Sequence, residues 1–173
     1  MGDLVMNFIE ADVTKLEKFN PFEKIGKEWM LITAGDEKSC NMMTASWGML
    51  GVLWERNVAT VFVRPQRYTF KFLEEKEYYT LSFFGKEYKK ELLFMGQNSG
   101  KNINKLEHTV LKPIYAQKAP YFEQASCVLI CKKIYNQFIT PDCFLDDTLN
   151  GEYEKKDYHK IFVGEIEKCL IKE

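Results

Sequence analysis

The chain has 173 residues, and its 24 Lys and Arg against 25 Asp and Glu leave a formal net charge of −1, which offers no broad basic field to nucleic acid. A chain of this mass buries about 70% of its unfolded surface, enough for one core, and its longest nearly apolar runs, 47–54 and 127–131, are far too short to span a bilayer. Residues 1–6 lack the basic flank of a secretory signal and the hydroxyl of a myristoylation pattern, so the expectation is one domain over residues 1–173, cytoplasmic, without membrane or nucleic-acid partners.

In chain order, residues 21–25 read as a short turn or helix ended by Gly26. Residues 29–34 read as a strand stopped by the polar turn Gly35-Asp36-Glu37-Lys38, and residues 41–46 return as the second strand of a hairpin. Residues 57–63 are rich in β-branched side chains and form the clearest strand. Pro65 then suits the first position of a helix running to about Lys76, with Tyr68 and Phe72 on one side. Residues 78–84 read as strand. Residues 87–95 have amphipathic helical spacing and are ended by Gly96, and a short helix reaching His108 follows the polar segment 97–101. Residues 121–123, 126–139 and 161–171 complete the strands. About seven strands and two or three helices favour a mainly β fold with inserted helices, closed as a barrel, over a doubly wound sheet. Neither a dinucleotide-binding nor a P-loop glycine pattern is present.

The cysteines at 40, 127, 131, 143 and 169 are odd in number and scattered, which reads as reduced thiols. Cys127 and Cys131 lie about 13 Å apart along a strand, too far to share a zinc with bonds of about 2.3 Å, so no metal is expected.

Four clusters carry candidate chemistry. Thr44, Ala45, Ser46 and Trp47 place hydroxyls and a large ring at a strand end, the combination a planar heteroaromatic ligand needs; the plainer reading is a strand end with Trp47 filling the core. Arg67 and Thr69, in Arg64-Pro-Gln-Arg-Tyr-Thr69, sit in the first turn of the predicted helix, where a phosphate would be favoured; the alternative pairs the arginines with Glu74 or Glu75. Ser82 and Phe83 stand at a strand end, and Ser99, Gly100 and Lys101 form a loop without the upstream glycine of a nucleoside-triphosphate site. His159, just before the last strand, is a candidate proton donor or substrate-orienting group.

Taken in order, the runs 41–48, 63–69, 81–84, 96–101, 131–135 and 157–166 resemble the flavin-reductase-like, FMN-binding split β-barrel family, in particular its flavoredoxin-like branch. The resemblance covers roughly residues 25 to 170. It implies a split barrel that pairs as a homodimer with FMN near the interface. It also implies flavin contacts from Thr44, Ala45, Ser46 and Trp47, from Arg67 and Thr69 on the phosphate side, and from Ser82, Phe83, Ser99, Gly100 and Lys101. His159 lies where related flavin reductases have a histidine near the nicotinamide site, although Asp157-Tyr158 precedes it here in place of their Gly-Asp.

The function implied is an FMN-dependent oxidoreductase taking electrons from NAD(P)H, or an electron carrier that meets a redox protein partner. The paucity of acid–base constellations fits either, because a flavin carries its own redox chemistry. A reading from another class is a small-molecule-binding or interaction module with the same barrel and no flavin.

Overall fold

The computed structural model describes residues 8–173; the reading of residues 1–6 as free of a leader or lipid signal falls outside them. Among the described residues, no helix is long and apolar enough to cross a membrane. One large antiparallel sheet is built from β1 (Phe8–Ala11), β2 (Met30–Gly35), β3 (Cys40–Ala45), β4 (Gly48–Leu53), β5 (Arg56–Val63), β6 (Tyr78–Phe83), β9 (Cys127–Phe138) and β10 (Lys160–Lys172), while β7 (Pro113–Ile114) and β8 (Tyr121–Phe122) pair separately. The order is β3-β2-β6-β9-β10-β5-β4, with β1 added to the far end of β10. The edge strands β3 and β4 are consecutive in the chain and joined only by Ser46 and Trp47. Those two residues therefore cross the split between the edges of the curled sheet.

The sheet is covered on both faces. β2 is buried at every position, which explains why its sequence is a continuous apolar run and not an alternation. Its Met30 and Ile32 join Leu81, Phe83, Leu129 and Phe162 in one core, and Leu31 packs with Met42, Val128 and Ile130 in a second. The first core lies under α2 (Thr69–Glu75), whose Phe72 and Leu73 are buried there, and the second under α3 (Lys89–Gln97) and the β7–β8 pair. Tyr79 threads through the first core to donate its hydroxyl to the Ala59 carbonyl at 2.8 Å. A Cβ at position 164 would fall 2.6 Å from that hydroxyl, so the register shift at Val163/Gly164 and the glycine together admit the ring.

The 21–25 segment is a short α1 (Pro21–Glu23) continued by a π turn over Lys24–Glu28, so Gly26 lies within it and does not end it. Two further expectations shift. Pro65 does not open a helix: the Arg67 N–H donates to the Arg64 carbonyl at 3.1 Å, making residues 64–67 a β-turn with proline at its second position, where its fixed φ fits equally well. The helix itself begins at Thr69. Gly96 does not stop α3, which runs on to Gln97. It is instead a contact residue, since a Cβ there would approach Thr44 Cβ to 3.3 Å. Cys127 and Cys131 share β9, and the Cys127 sulfur lies 3.9 Å from that of Cys169 on β10.

Candidate functional site

The link across the split forms one wall of an open cavity of about 320 Å³. Thr44, Ala45, Ser46 and Trp47 line it from the end of β3, Arg64 and Arg67 from the turn after β5, Gly96 from α3, and Glu152 and His159 from the segment between β9 and β10. Trp47 is 45% exposed, so it is not core filler. Its ring lies 5.0 Å from the His159 ring, leaving an aromatic surface turned to the cavity. Thr44 is fixed from below, its hydroxyl donating to the Leu92 carbonyl of α3.

The opposite wall is a polar network that positions His159. Arg64 pairs with Asp157 at 2.7 Å, donates to the Glu152 carbonyl at 2.9 Å and lies 5.0 Å over the Tyr153 ring, while Gln66 donates to Asp157. The Tyr153 hydroxyl is 2.8 Å from His159 Nδ1, and Tyr153 is stacked on Tyr158 at 4.9 Å. Burial, reinforced by the neighbouring Arg64 charge, pushes the His159 imidazole down to about 4. It is therefore neutral near pH 7. A phenol that donates to Nδ1 leaves the proton of the neutral ring on Nε2, and one that accepts from Nδ1–H leaves Nε2 as an acceptor. Nε2 has no hydrogen-bond partner among the described residues, and His159 lines the cavity.

A second cavity of about 160 Å³ adjoins the first, and Met43 and Arg67 line both. It is bounded by Asn41, Thr69, Ser99, Gly100 and Lys105. Arg67 donates to the Gly96 carbonyl at 3.0 Å and has no carboxylate partner among the described residues; of Glu74 and Glu75, the partners the alternative reading offered, Glu74 is held by Lys160. Lys105 is 3% exposed, yet among the described residues its ammonium meets only two carbonyls, those of Met42 and Met95, each at 2.8 Å. Burial and the Arg67 charge push its amine down to about 8. The Asn41 amide donates to the Thr69 hydroxyl at 2.8 Å. Gly100 packs directly on this pair: a Cβ there would lie 2.0 Å from Asn41 Oδ1 and 3.0 Å from Tyr68. Only glycine lets the 99–101 loop close this near to the cavity floor.

The structure thus brings Thr44, Ala45, Ser46, Trp47, Arg67 and His159 to one cavity and Arg67, Thr69, Ser99 and Gly100 to its neighbour. Lys101 lines a third, on the far side of Gly100. Ser82 and Phe83 line none of these. Both are fully buried on β6, Ser82 between Leu31 and Val128 in the register, and Phe83 on the other face, edge-on to Phe19 at 5.0 Å. The sequence reading missed Lys105, Tyr153 and the positioning role of Arg64. Lys105 sits among polar loop residues with no local sign of burial, and Tyr153 lies in an exposed stretch whose partner is supplied by the turn back to β10.

Residues 22–173 match the Flavin reductase like domain family. No curated protein matches the sequence. Among solved structures, the FMN-binding domain of a flavin reductases-like enzyme from Shewanella baltica superposes with a TM-score of 0.69 at 16% identity, covering 96% of this chain and 78% of that one. Flavoredoxin from Methanosarcina acetivorans gives 0.67 at 20% identity, over 84% and 69%. The NADH:FAD oxidoreductase of Streptomyces globisporus, solved with NAD and FAD fragments, gives 0.63 at 15% identity, over 83% and 74%. The shared fold is a mainly β split barrel.

Proposed function

The chain belongs to the flavin reductase like domain family, and on that premise we propose that it binds FMN and passes electrons through it from NAD(P)H, or from a redox protein, to an acceptor. The observation that carries this reading is the pair of adjoining cavities hinged on Arg67, one walled by an aromatic ring and hydroxyls and the other lined by cations without a carboxylate. These residues suit the two ends of the molecule, a flat ring system and a phosphate. Similar structures support the same reading, among them an FMN-binding domain, a flavoredoxin and an NADH:FAD oxidoreductase.

A bound flavin supplies the redox chemistry itself. The protein's part is to hold and orient. Trp47 and the Thr44–Ser46 edge bound the ring, and Arg67 with Thr69, Ser99 and Gly100 surrounds the phosphate. His159, neutral and anchored through Nδ1, leaves Nε2 for whatever group docks beside the ring. Arg64, neutralised by Asp157, supports that histidine and leaves the phosphate role to Arg67.

The test is titration of FMN into the protein with fluorescence as readout, followed by anaerobic mixing with NADH and with NADPH. Quenching and then bleaching are expected. Quenching without bleaching by either nucleotide assigns the electron-carrier form with a protein donor. A protein that quenches no FMN is a barrel module without flavin, and the proposal fails.

The same reading includes a homodimer. Met49, Val52, Leu53 and Trp54 on the β4 edge and its turn are 39–73% exposed, and Phe22, 87% exposed, borders an adjoining apolar cavity of about 690 Å³. A contiguous apolar edge of this kind is a site for a second chain. Light scattering is expected to give twice the chain mass for the wild type, and half of that for a Val52→Lys, Trp54→Lys double variant; a monomeric wild type refutes the dimer.

A further inference from the structure

We propose, independently of the flavin reading above, that Cys127 and Cys169 are a dithiol site that hydrogen peroxide oxidises to a disulfide joining β9 to β10. The two sulfurs lie 3.9 Å apart. In the register of these strands Cys169 stands opposite Leu129, with Cys127 and Cys131 two positions to either side on the same core-facing surface. The flanking thiols are not equivalent. Cys131 pairs with Ile166, across the register shift at Ile166/Lys168, and among the described residues no sulfur contact joins it to either of the others. In a disulfide the sulfurs are about 2.05 Å apart, so closure asks each sulfur of the Cys127–Cys169 pair to move by about 1 Å from its observed place. Rotation of the two side chains supplies that displacement with the strands already paired.

The contact also sets the order of reaction. The hydrogen bond from the Cys127 thiol lowers the Cys169 thiol below its ordinary value, and the same bond, reinforced by burial, raises Cys127. Cys169, as thiolate, attacks one oxygen of the peroxide; an S–O bond forms, the O–O bond breaks, and the leaving hydroxide makes one water with the proton shed by Cys169. Cys127 then attacks the resulting sulfenic sulfur; the S–S bond forms, the S–O bond breaks, and hydroxide leaves with the Cys127 proton as a second water. Two thiols are oxidised by two electrons and one peroxide is reduced, so no other oxidant is needed. Both cysteines are buried, at 6% and 3% exposure, but their cover is light. Ala11, opposite Cys169 in the β1 register, and Val13 and Leu16 pack on the core that holds the pair, yet none of residues 8–20 is itself buried. Among the described residues, the β1–β10 ladder of four residue pairs alone ties the backbone of residues 8–19 to the sheet. A cover held this weakly opens at far lower cost than global unfolding, and peroxide is a small reagent.

The folded, reduced protein is treated with hydrogen peroxide, the excess is destroyed with catalase, and free thiols are then counted in denaturant. A non-reducing digest read by mass spectrometry identifies which cysteines are joined. The expected count falls from the five free thiols of the chain to three, with the Cys127 and Cys169 peptides linked and two hydrogens lighter than their sum, Cys131 free, and dithiothreitol restoring all five. A Cys40→Ser, Cys143→Ser double variant, which removes the two cysteines outside the buried core, is expected to lose the same pair. In Cys169→Ala, Cys127 is expected to stay free. Five thiols after treatment, a disulfide that joins any other pair in place of this one, or Cys169 driven to sulfinic acid with Cys127 still free each overturns the proposal. Should the variants not fold, the wild-type digest decides alone.

Discussion

Replacement of Arg67 by Ala is expected to weaken FMN binding by about 1.5–3 kcal/mol, roughly ten- to 150-fold in dissociation constant. Arg67 is the one cation common to both cavities. Its guanidinium is half-buried, which lowers its proton affinity without discharging it, and one nitrogen is already oriented by the Gly96 carbonyl at 3.0 Å. That anchor leaves the remaining donors of a rigid fork for the ligand, at small further entropic cost. Arg67→Lys should recover only part of the loss, because a point charge on a flexible stem keeps attraction and gives up the two-pronged geometry. Fluorescence titration of both variants with FMN checks this. An unchanged constant in Arg67→Ala would place the phosphate elsewhere.

The parts of this site legible in the sequence are those whose chemistry is local. The hairpin of β2 and β3 announces itself by a polar turn between apolar runs, and β5 by its β-branched residues. β4 does not. Its edge faces outward with apolar side chains, so the segment reads as an apolar run, and the turn that pairs it with β5 uses Trp54 and Glu55 at φ of 50° and 59°, residues that give no turn signal. The arginine–proline segment reads as an anion site on the strength of a helix start at Pro65, and the structure puts that helix start elsewhere. The positive charge there is that of Arg67 and Lys105 lining one cavity, with Lys105 contributed 38 positions later in the chain, and α2 starts too late to offer its first turn at Pro65. Ser82 and Phe83 show the reverse failure. A strand end next to a loop looks available, but the end of β6 is covered by Phe19 against Phe83 and the residue after it by Phe122 against Phe84, contacts that no local pattern encodes.

Acidification from pH 6.5 to 4 is expected to cost the flavin-free protein up to about 3 kcal/mol through His159 alone, at about 1.4 kcal/mol per pH unit. The sign follows from where the proton binds. In the unfolded chain the imidazole titrates near 6.5, and in the fold burial and the Arg64 charge hold it down to about 4. Between those values the unfolded state takes up a proton that the folded state refuses, so stability is fully present above 6.5, falls as pH drops, and levels off below 4. Urea denaturation at a series of pH values, wild type against His159→Gln, isolates this contribution: the difference between the two curves should fall through that window and be flat on either side. Parallel curves would mean that the folded ring takes up its proton as the unfolded one does, with no depression by burial or by Arg64. The functional consequence is tied to the same number. A histidine that stays neutral well below physiological pH presents an unchanging, uncharged ring beside Trp47, held through Nδ1 by the Tyr153 hydroxyl. Under the proposed function, any pH dependence of electron transfer near neutrality is expected from groups other than His159.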